Sequence, residues 1–148
     1  MKIPNQSTYS FTDIDFNISH PGYGQYSLNG EGAGDVTVGK ATERSVHNVA
    51  ADGSIMTSKI AGNNGNVAIN AQQTSSLHNW LQGLFNYLWD ADTSQWAQIS
   101  IMIRAPKMKK TIICSNGCFV KEPDEQFQAQ GQNVPWNLLF GDIQRLPL

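Results

Sequence analysis

The sequence predicts a mainly β protein, an antiparallel β-sandwich or barrel flanked by one α-helix. Residues 13–19 alternate apolar and polar side chains, which is typical of a strand with one buried and one solvent-facing side. Residues 75–89 place apolar side chains at three- and four-residue spacing, the pattern of an amphipathic helix. Turn residues (Gly, Pro, Asn and Asp) recur between the apolar segments, as expected when short strands are joined by tight turns.

Composition favours one domain with an unusually uncharged surface. A chain of 148 residues can bury a core of its own, so we interpret residues 1–148 as a single domain. Only 15% of the residues are charged, against about 25% in a typical globular domain. A surface rich in Asn, Gln, Ser, Thr and Gly suits a protein that is covered by copies of itself, although an ordinary neutral domain fits this composition equally well.

The net charge of −2 provides no basic excess for tight binding of nucleic acid. No stretch approaches the ~20 apolar residues that cross a bilayer, and the first ten residues, MKIPNQSTYS, lack the apolar run of a secretory signal. We therefore expect synthesis in the cytoplasm and no membrane insertion. In that reducing compartment Cys114 and Cys118 should remain thiols, facing each other across a tight turn at residues 115–117.

Several further strands are predicted from alternation and turn signals. The clearest hairpin is expected between residues 54–60 and 66–71, across Gly62-Asn63-Asn64-Gly65, because Gly and Asn accept the positive φ of such a turn. Residues 41–53 are less regular and are expected to form a protruding loop, with a turn signal at Asp52-Gly53. The remaining strands are predicted at residues 23–28, 35–40, 96–104, 109–114, 118–120 and 135–143, with a polar loop at residues 121–133.

The helix has a predicted cap and a predicted buried face. Thr74 or Ser75 can accept a hydrogen bond from the first turn. Each apolar side chain of the stripe contributes ~1.5–3 kcal/mol when fully buried, whereas Gly83 costs only about 1 kcal/mol relative to Ala. We therefore expect the helix to dock firmly on a sheet. The stripe consists of Leu77, Trp80, Leu81, Leu84, Phe85 and Leu88.

The pattern of reactive residues predicts no catalytic, metal or cofactor site. Cys114 and Cys118 lack the second pair of ligands that zinc requires. The glycines of residues 29–34 precede a strand-like segment, whereas phosphate-binding loops open a helix; they predict a flexible turn. The histidines are scattered, and no nucleophile has a base and an orienting acid at a recognisable spacing. We expect a protein that is not an enzyme and uses no cofactor.

One basic cluster stands out in this weakly charged chain. It straddles a predicted turn and has no interleaved aromatic residues, so it does not suit stacking on nucleic-acid bases. It is interpreted as a solvated hairpin turn or, alternatively, as a surface that pairs with Glu122, Asp124 and Glu125 on a neighbouring copy. The cluster consists of Arg104, Lys107, Lys109 and Lys110.

Two segments, SVHNVAADGSIMTSKIAGNNGNVAINAQQTSSLHNWL at residues 45–81 and VPWNLLFGDI at residues 134–143, resemble the tail tube proteins of contractile-tailed bacteriophages. The likeness extends over most of the chain, including the strand order and the single helix. It implies a tail-tube-like sandwich whose inner strands complete a barrel shared between subunits. Six copies would form a ring, and the rings would stack into a hollow tube in the tail of the virion, after assembly in the host bacterial cytoplasm.

The resemblance also implies partners. They are further copies of the chain, a sheath protein around the tube, a tape-measure protein within it, and baseplate and tail terminator proteins. DNA would pass through the lumen without specific binding. Family members carry a long loop that bridges subunits or rings; the matching region is residues 41–53, with candidate assembly residues Glu43, Arg44, His47 and Asp52. Candidate lumen-facing residues are Asp13, Asp15, Asn66 and Asn70.

Two other functions fit the sequence. The first is the related tube protein of a type VI secretion system or of a phage-derived bacteriocin. The second is a β-sandwich carbohydrate-binding module, because such modules bind sugars on exposed aromatic side chains. The candidate aromatic residues for sugar binding are Trp80, Trp89, Trp96 and Trp136.

Overall fold

The computed structural model describes residues 9–28 and 33–147. They form nine strands, one α-helix and three 3₁₀ turns. The strands are β1 (Asp15–His20), β2 (Gly24–Leu28), β3 (Ala33–Lys40), β4 (Ser45–Val49), β5 (Ile55–Lys59), β6 (Gly65–Gln72), β7 (Ile99–Ala105), β8 (Lys110–Phe119) and β9 (Asn133–Pro147). The helix α1 spans Ser76–Asp90, and the 3₁₀ turns span Phe11–Asp13, Thr93–Gln95 and Pro106–Met108.

Seven strands form one sheet in the order β2-β1-β7-β8-β9-β6-β3, while β4 and β5 form a separate two-stranded sheet. Every pairing is antiparallel. The predicted class, mainly antiparallel β with one flanking helix, is confirmed. The large sheet does not close within one chain: β2 and β3 are its terminal strands, and each has one edge that no strand in the described part of the chain covers.

Strand β9 is an interior strand of the sheet and connects the β2-β1-β7-β8 group to the β6-β3 pair. Its first part pairs with β6, and its later part pairs with β8. Phe140 and Ile143 are both buried, so the alternation of buried and exposed residues shifts between them. Past this shift, the Ile143 amide donates to the Asn63 carbonyl at 2.8 Å, and the Arg145 guanidinium donates to the Val38 carbonyl at 3.1 Å. These bonds hold the two halves of the sheet around one core.

Helix α1 begins as the sequence predicts, with Ser75 as its cap. The Ser75 hydroxyl accepts a hydrogen bond from the His78 amide at 3.1 Å. Gly83 has a packing role that the propensity argument missed, since a Cβ there would overlap the hydroxyl of Tyr23. The buried helix residues are Leu77, His78, Leu81, Leu84 and Leu88, whereas Trp80 and Phe85 are partly buried against the core.

The predicted hairpin between residues 54–60 and 66–71 is wrong. Strand β5 pairs with β4, across the Asp52-Gly53 turn, and β6 instead pairs with β3 and β9. The Gly- and Asn-rich segment between β5 and β6 is a connection that hydrogen bonds tie to two other segments. The Asn64 carbonyl accepts from the Ala41 amide at 3.1 Å, and the Asn63 carbonyl accepts from the Ile143 amide. The expected loop at residues 41–53 is thus the first half of a longer hairpin.

The predicted turn at residues 115–117 is also wrong. Cys114 and Cys118 therefore do not face each other across a turn. Strand β8 continues from Lys110 to Phe119, with Cys114 opposite Ile143 and Cys118 opposite Leu139. Asn116 adopts a positive φ of 56°, which absorbs an irregularity in the strand without reversing it. Both cysteines are free, Cys114 in the core and Cys118 partly exposed.

Some sequence predictions fall on residues 1–8, 29–32 and 148, which lie outside the described residues. They include most of the amino-terminal segment judged for a secretory signal, and most of the Gly-rich turn at residues 29–34. Gly34 itself belongs to β3. The first strand begins at Asp15, two residues later than predicted, and Asp13 lies in a 3₁₀ turn.

Candidate functional site

The β4–β5 hairpin is the most exposed regular element in the described chain. All ten of its strand residues are exposed, in contrast to β6, where alternate residues are buried. Its apolar side chains have no core to enter and divide between its two faces, Val49 with Ile55 on one and Val46 with Met56 on the other. Exposed apolar side chains that lie together suit a surface that a partner covers. The exposed apolar residues are Val46, Val49, Ile55 and Met56.

The base of the hairpin is tied to the rest of the molecule. The Arg44 guanidinium donates to the Ile60 carbonyl at 3.2 Å and to the Asn63 side chain. The Thr42 hydroxyl donates to Asn64 Oδ1 at 2.6 Å. All three bonds cross between the two chain segments that lead into and out of the hairpin. The hairpin therefore projects from an anchored base.

The four candidate assembly residues are distributed along this hairpin. Glu43 is exposed at the base beside Arg44, and His47 lies in β4 opposite Thr57. Asp52 lies in the turn, where its carboxylate accepts from the Ser54 amide at 3.0 Å. Hydrogen bonds from the Ser54 amide and hydroxyl lower the pKa of Asp52. The sequence argument missed the exposed apolar residues of the hairpin, because their spacing in residues 45–56 does not distinguish exposed from buried side chains.

The candidate lumen residues divide into two groups. Asp15, Asn66 and Asn70 lie on strands, on the side of the sheet that faces away from the core. Asp15 is opposite Arg104, and the Asn70 amide donates to Asp35 Oδ1 at 2.7 Å. Asp13 belongs to the 3₁₀ turn instead. There it forms an ion pair with Lys107 at 3.2 Å.

A buried histidine holds the long loop between β8 and β9. Nδ1 of His78 lies 3.1 Å from the indole Nε1 of Trp136, and its Nε2 lies 3.2 Å from a Glu125 carboxylate oxygen. The Gln73 amide donates to the other Glu125 oxygen at 3.1 Å and to the Gln126 carbonyl at 2.9 Å. His78 is 5% exposed and links the loop to the core.

The four tryptophans do not form one binding platform. Trp136 is fully buried, and Trp80 and Trp96 are partly buried against the core. Trp89 is 72% exposed. Only Trp89 therefore presents most of its ring to solvent.

Among residues 9–28 and 33–147, no cluster of His, Cys, Asp and Glu has the arrangement to hold a metal ion. Burial raises the pKa of the Cys114 thiol to about 11, and burial also raises the pKa of Cys118. A thiol with a raised pKa is a poor nucleophile at neutral pH. In the same described part of the chain, no helix has the length and apolar character to span a membrane.

The family of the bacteriophage PhiTE tail tube protein matches residues 6–147. The chain belongs to this family. It is thus a tail tube protein of a phage-like contractile system, as the resemblance of residues 45–81 and 134–143 implied. The tail tube assignment rests on this match, because a comparison with curated protein sequences finds no match.

Solved tube-related structures share the fold of this tail tube protein. A chain of the anti-feeding prophage tube-terminating cap has 9% sequence identity and a TM-score of 0.57, covering 100% of this chain and 97% of that one. A chain of the sheath-tube complex of an extracellular contractile injection system, PVC, has 11% identity and a TM-score of 0.51, covering 90% and 88%. A chain of the anti-feeding prophage baseplate has 13% identity and a TM-score of 0.52, covering 99% and 98%.

Proposed function

We propose that this tail tube protein forms six-membered rings that stack into a hollow tube, through which DNA passes from the capsid to the host cell. The observation that carries the proposal is the pair of open sheet edges, β2 and β3, in a chain of the tail tube family. An open edge presents unpaired backbone N–H and C=O groups, which a strand of another chain can satisfy. Pairing between copies would complete a barrel that one chain leaves open.

The two edges are different strands, and this difference matters for the geometry of assembly. An edge that pairs with itself gives an isologous dimer, whereas two unlike edges that pair with each other give a head-to-tail contact. A head-to-tail contact closes into a ring when the rotation per subunit divides a full turn. The number six comes from the family resemblance and from the six-fold symmetry under which the similar baseplate was solved.

The β4–β5 hairpin supplies a second contact in this proposal. It projects from an anchored base with its apolar residues exposed, so burial against another copy would remove them from water. Burying a Val or Ile side chain stabilises an interface by ~1.5–3 kcal/mol before ordering costs. We assign to the hairpin the bridging role that the long loop has in the family. The bridging segment is then residues 45–59, in place of the residues 41–53 expected from the sequence.

The outward face of the sheet supports a lumen that does not hold DNA. Amide and hydroxyl side chains dominate along β1 and β6, including Asn17, Ser19, Asn66 and Asn70. Tight binding of DNA depends on clustered basic side chains that neutralise phosphates. A mostly neutral lining would let DNA slide without specific binding.

The proposal includes the other tail components. The similar solved chains come from a sheath-tube complex, a terminating cap and a baseplate, which supports partnership with sheath, terminator and baseplate proteins. A tape-measure protein would occupy the tube during assembly. The protein would act as a structural subunit of the virion tail, made in the host cytoplasm, with no enzymatic activity and no cofactor.

Electron microscopy of the purified protein tests the proposal directly. We expect rings or tubes with a central hole, and six-fold symmetry in averages of end views. If the protein shows only compact single subunits at high concentration, the assembly proposal is wrong. Rings with another symmetry would contradict the number six alone.

A second candidate is the tube of a phage-derived contractile injection system that has no capsid. It is favoured by the similar chains of the anti-feeding prophage and of the extracellular injection system. The genes that surround this one distinguish the two candidates, because only a phage needs capsid and DNA-packaging genes.

A further inference from the structure

The molecule has two oppositely charged ends. Strands β1, β7 and β8 are neighbours in the sheet, and all three run between the same two ends. One end carries the basic turn, Pro106–Lys110, between β7 and β8. The other end carries the carboxyl terminus of α1 and the start of the loop after β8, near Asp90 and Glu122.

The basic turn combines positive charge with an exposed apolar side chain. Lys107, Lys109 and Lys110 are all exposed, and Met108 between them is 45% exposed. Lys107 has Asp13 as an ion-pair partner at 3.2 Å. Lys109 has a positive φ of 55°, which closes the 3₁₀ turn and reverses the chain into β8. The turn therefore presents a methionine flanked by lysines.

The opposite end carries a depression with aromatic walls and an acidic rim, which we call the acidic depression. Its volume is about 470 Å³, and it is lined by Phe85, Asn86, Trp89, Asp90 and Glu122. The rings of Phe85 and Trp89 are stacked, with centroids 6.4 Å apart and an angle of 8°. Trp89 is 72% exposed. Among the described residues, no Lys or Arg lines this acidic depression.

The two surfaces match in chemistry. A lysine ammonium is attracted to the face of a tryptophan ring and to carboxylates beside it. A methionine thioether packs favourably against aromatic rings. The basic turn offers Met108 and its lysines, and the acidic depression offers Trp89 with Asp90 and Glu122. Each surface thus presents what the other lacks.

The basic turn cannot reach the acidic depression of its own chain. The ten residues of β8 lie between them, which corresponds to roughly 30 Å at about 3.3 Å per residue. A contact between the two surfaces must therefore join different molecules. A surface charge pattern of this kind steers subunits into one orientation as they meet.

We propose that the basic turn of one copy docks in the acidic depression of the next copy, giving a head-to-tail contact with Met108 against Trp89 and the lysines beside Asp90 and Glu122. The proposal rests on tube formation by this chain and adds the residues of one contact. It also gives a role to Trp89, which the core does not use. The lysine next to the depression in sequence, Lys121, is exposed and would lie at the edge of this contact.

Charge reversal on each side tests the contact. One variant carries Lys109→Glu with Lys110→Glu, and the other carries Asp90→Lys with Glu122→Lys. Like charges placed opposite each other cost several kcal/mol at an interface, so each variant alone should need a protein concentration at least tenfold higher to form tubes. An equimolar mixture should form tubes at the wild-type concentration, because alternating copies restore opposite charges at every contact.

Controls separate this inference from the assembly proposal. Lys121→Glu also replaces a lysine by an acid, but at the edge of the acidic depression, where the added carboxylate would face the lysines of the next copy. It should therefore not raise the protein concentration needed for tubes. Circular dichroism and thermal melting should show that the variants remain folded, since all four reversed residues are exposed. Wild-type tubes with normal assembly of both variants, or no rescue in the mixture, would overturn the proposed contact. No tubes from the wild type would overturn the assembly proposal itself.

Discussion

The indole nitrogen of Trp136 donates its hydrogen bond to Nδ1 of His78 across 3.1 Å, in the buried core. An indole N–H can only donate, so Nδ1 must accept and the imidazole proton must reside on Nε2. That nitrogen faces a Glu125 carboxylate oxygen at 3.2 Å. The two hydrogen bonds of this histidine thus connect β9 to a surface loop.

Replacing this histidine tests the connection. His78→Phe should lower the free energy of unfolding by about 1–3 kcal/mol, because the buried Trp136 N–H then lacks an acceptor. The loop at residues 121–132 should also be cleaved faster by proteases, since Glu125 loses a tether. Adding Trp136→Phe to His78→Phe removes the unpaired donor, so the double variant should lose less stability than the two single variants lose together. If the two losses in the free energy of unfolding simply add, the two residues are not coupled.

Cys114 predicts a loss of stability in alkaline solution. Burial raises its pKa from 9.0 to about 11, so the folded protein keeps a proton that the unfolded chain releases. Stability therefore falls as the pH rises from about 9 to about 11, by up to ~1.4 kcal/mol per pH unit. Denaturant unfolding of the wild type and of Cys114→Ala should show a stability difference that narrows over this range. Cys118→Ala is the matched control. The stability difference between the wild type and this variant should narrow less, because Cys118 is only partly buried.

Gly65 predicts a local limit on side-chain size. A Cβ at this position would overlap the Gly39 carbonyl of β3 and lie 2.7 Å from Ile143 Cδ1. Gly65→Ala should therefore push β3 away from β6 and cost about 1–3 kcal/mol of stability. Gly131→Ala is the matched control, because a Cβ there meets open space, and its effect should stay within about 0.5 kcal/mol. Equal melting temperatures for the two variants would contradict the close approach.

The β4–β5 hairpin predicts that folding and assembly can be separated. Replacing residues 45–59 by a short Gly-Ser link removes only exposed strand residues, so the melting temperature should change little. Tubes should disappear from micrographs. Val49→Ser with Ile55→Ser keeps the hairpin but removes two exposed apolar side chains, and should weaken assembly to a smaller degree. Normal tubes from the shortened chain would show that the hairpin has no bridging role.

Strands with one buried face were predictable from the sequence. Alternation in residues 13–19 and 66–71 corresponds to β1 and β6, and Ser75 and the apolar stripe set the start and the buried side of α1. The partner of β5 was not predictable in this way. Its residues are exposed on both sides, so no buried face marks its register, and turn signals at Asp52-Gly53 and at residues 62–65 compete.

The candidate site was less predictable than the fold, because assembly surfaces have no spacing signature of their own. Asn116 favours a turn in isolation, but in the fold its positive φ is accommodated inside β8. The acidic depression joins Phe85 and Trp89 to Glu122, residues that are distant in sequence and meet only because the loop after β8 returns to the helix. The sequence identified the charged residues and the tryptophans as candidates. Only the tertiary structure shows that Trp89, Asp90 and Glu122 line one depression.

Strand β9 follows the other strands in the chain yet lies inside the sheet, with β8 on one side and β6 on the other. Until it inserts, the β2-β1-β7-β8 group and the β6-β3 pair are separate pieces with no shared ladder. Long-range pairing of this kind forms late and slowly. A ribosome-bound or truncated chain that lacks β9 cannot fix β2 and β3 relative to each other. Only complete chains would then present both edge strands in the geometry that assembly needs.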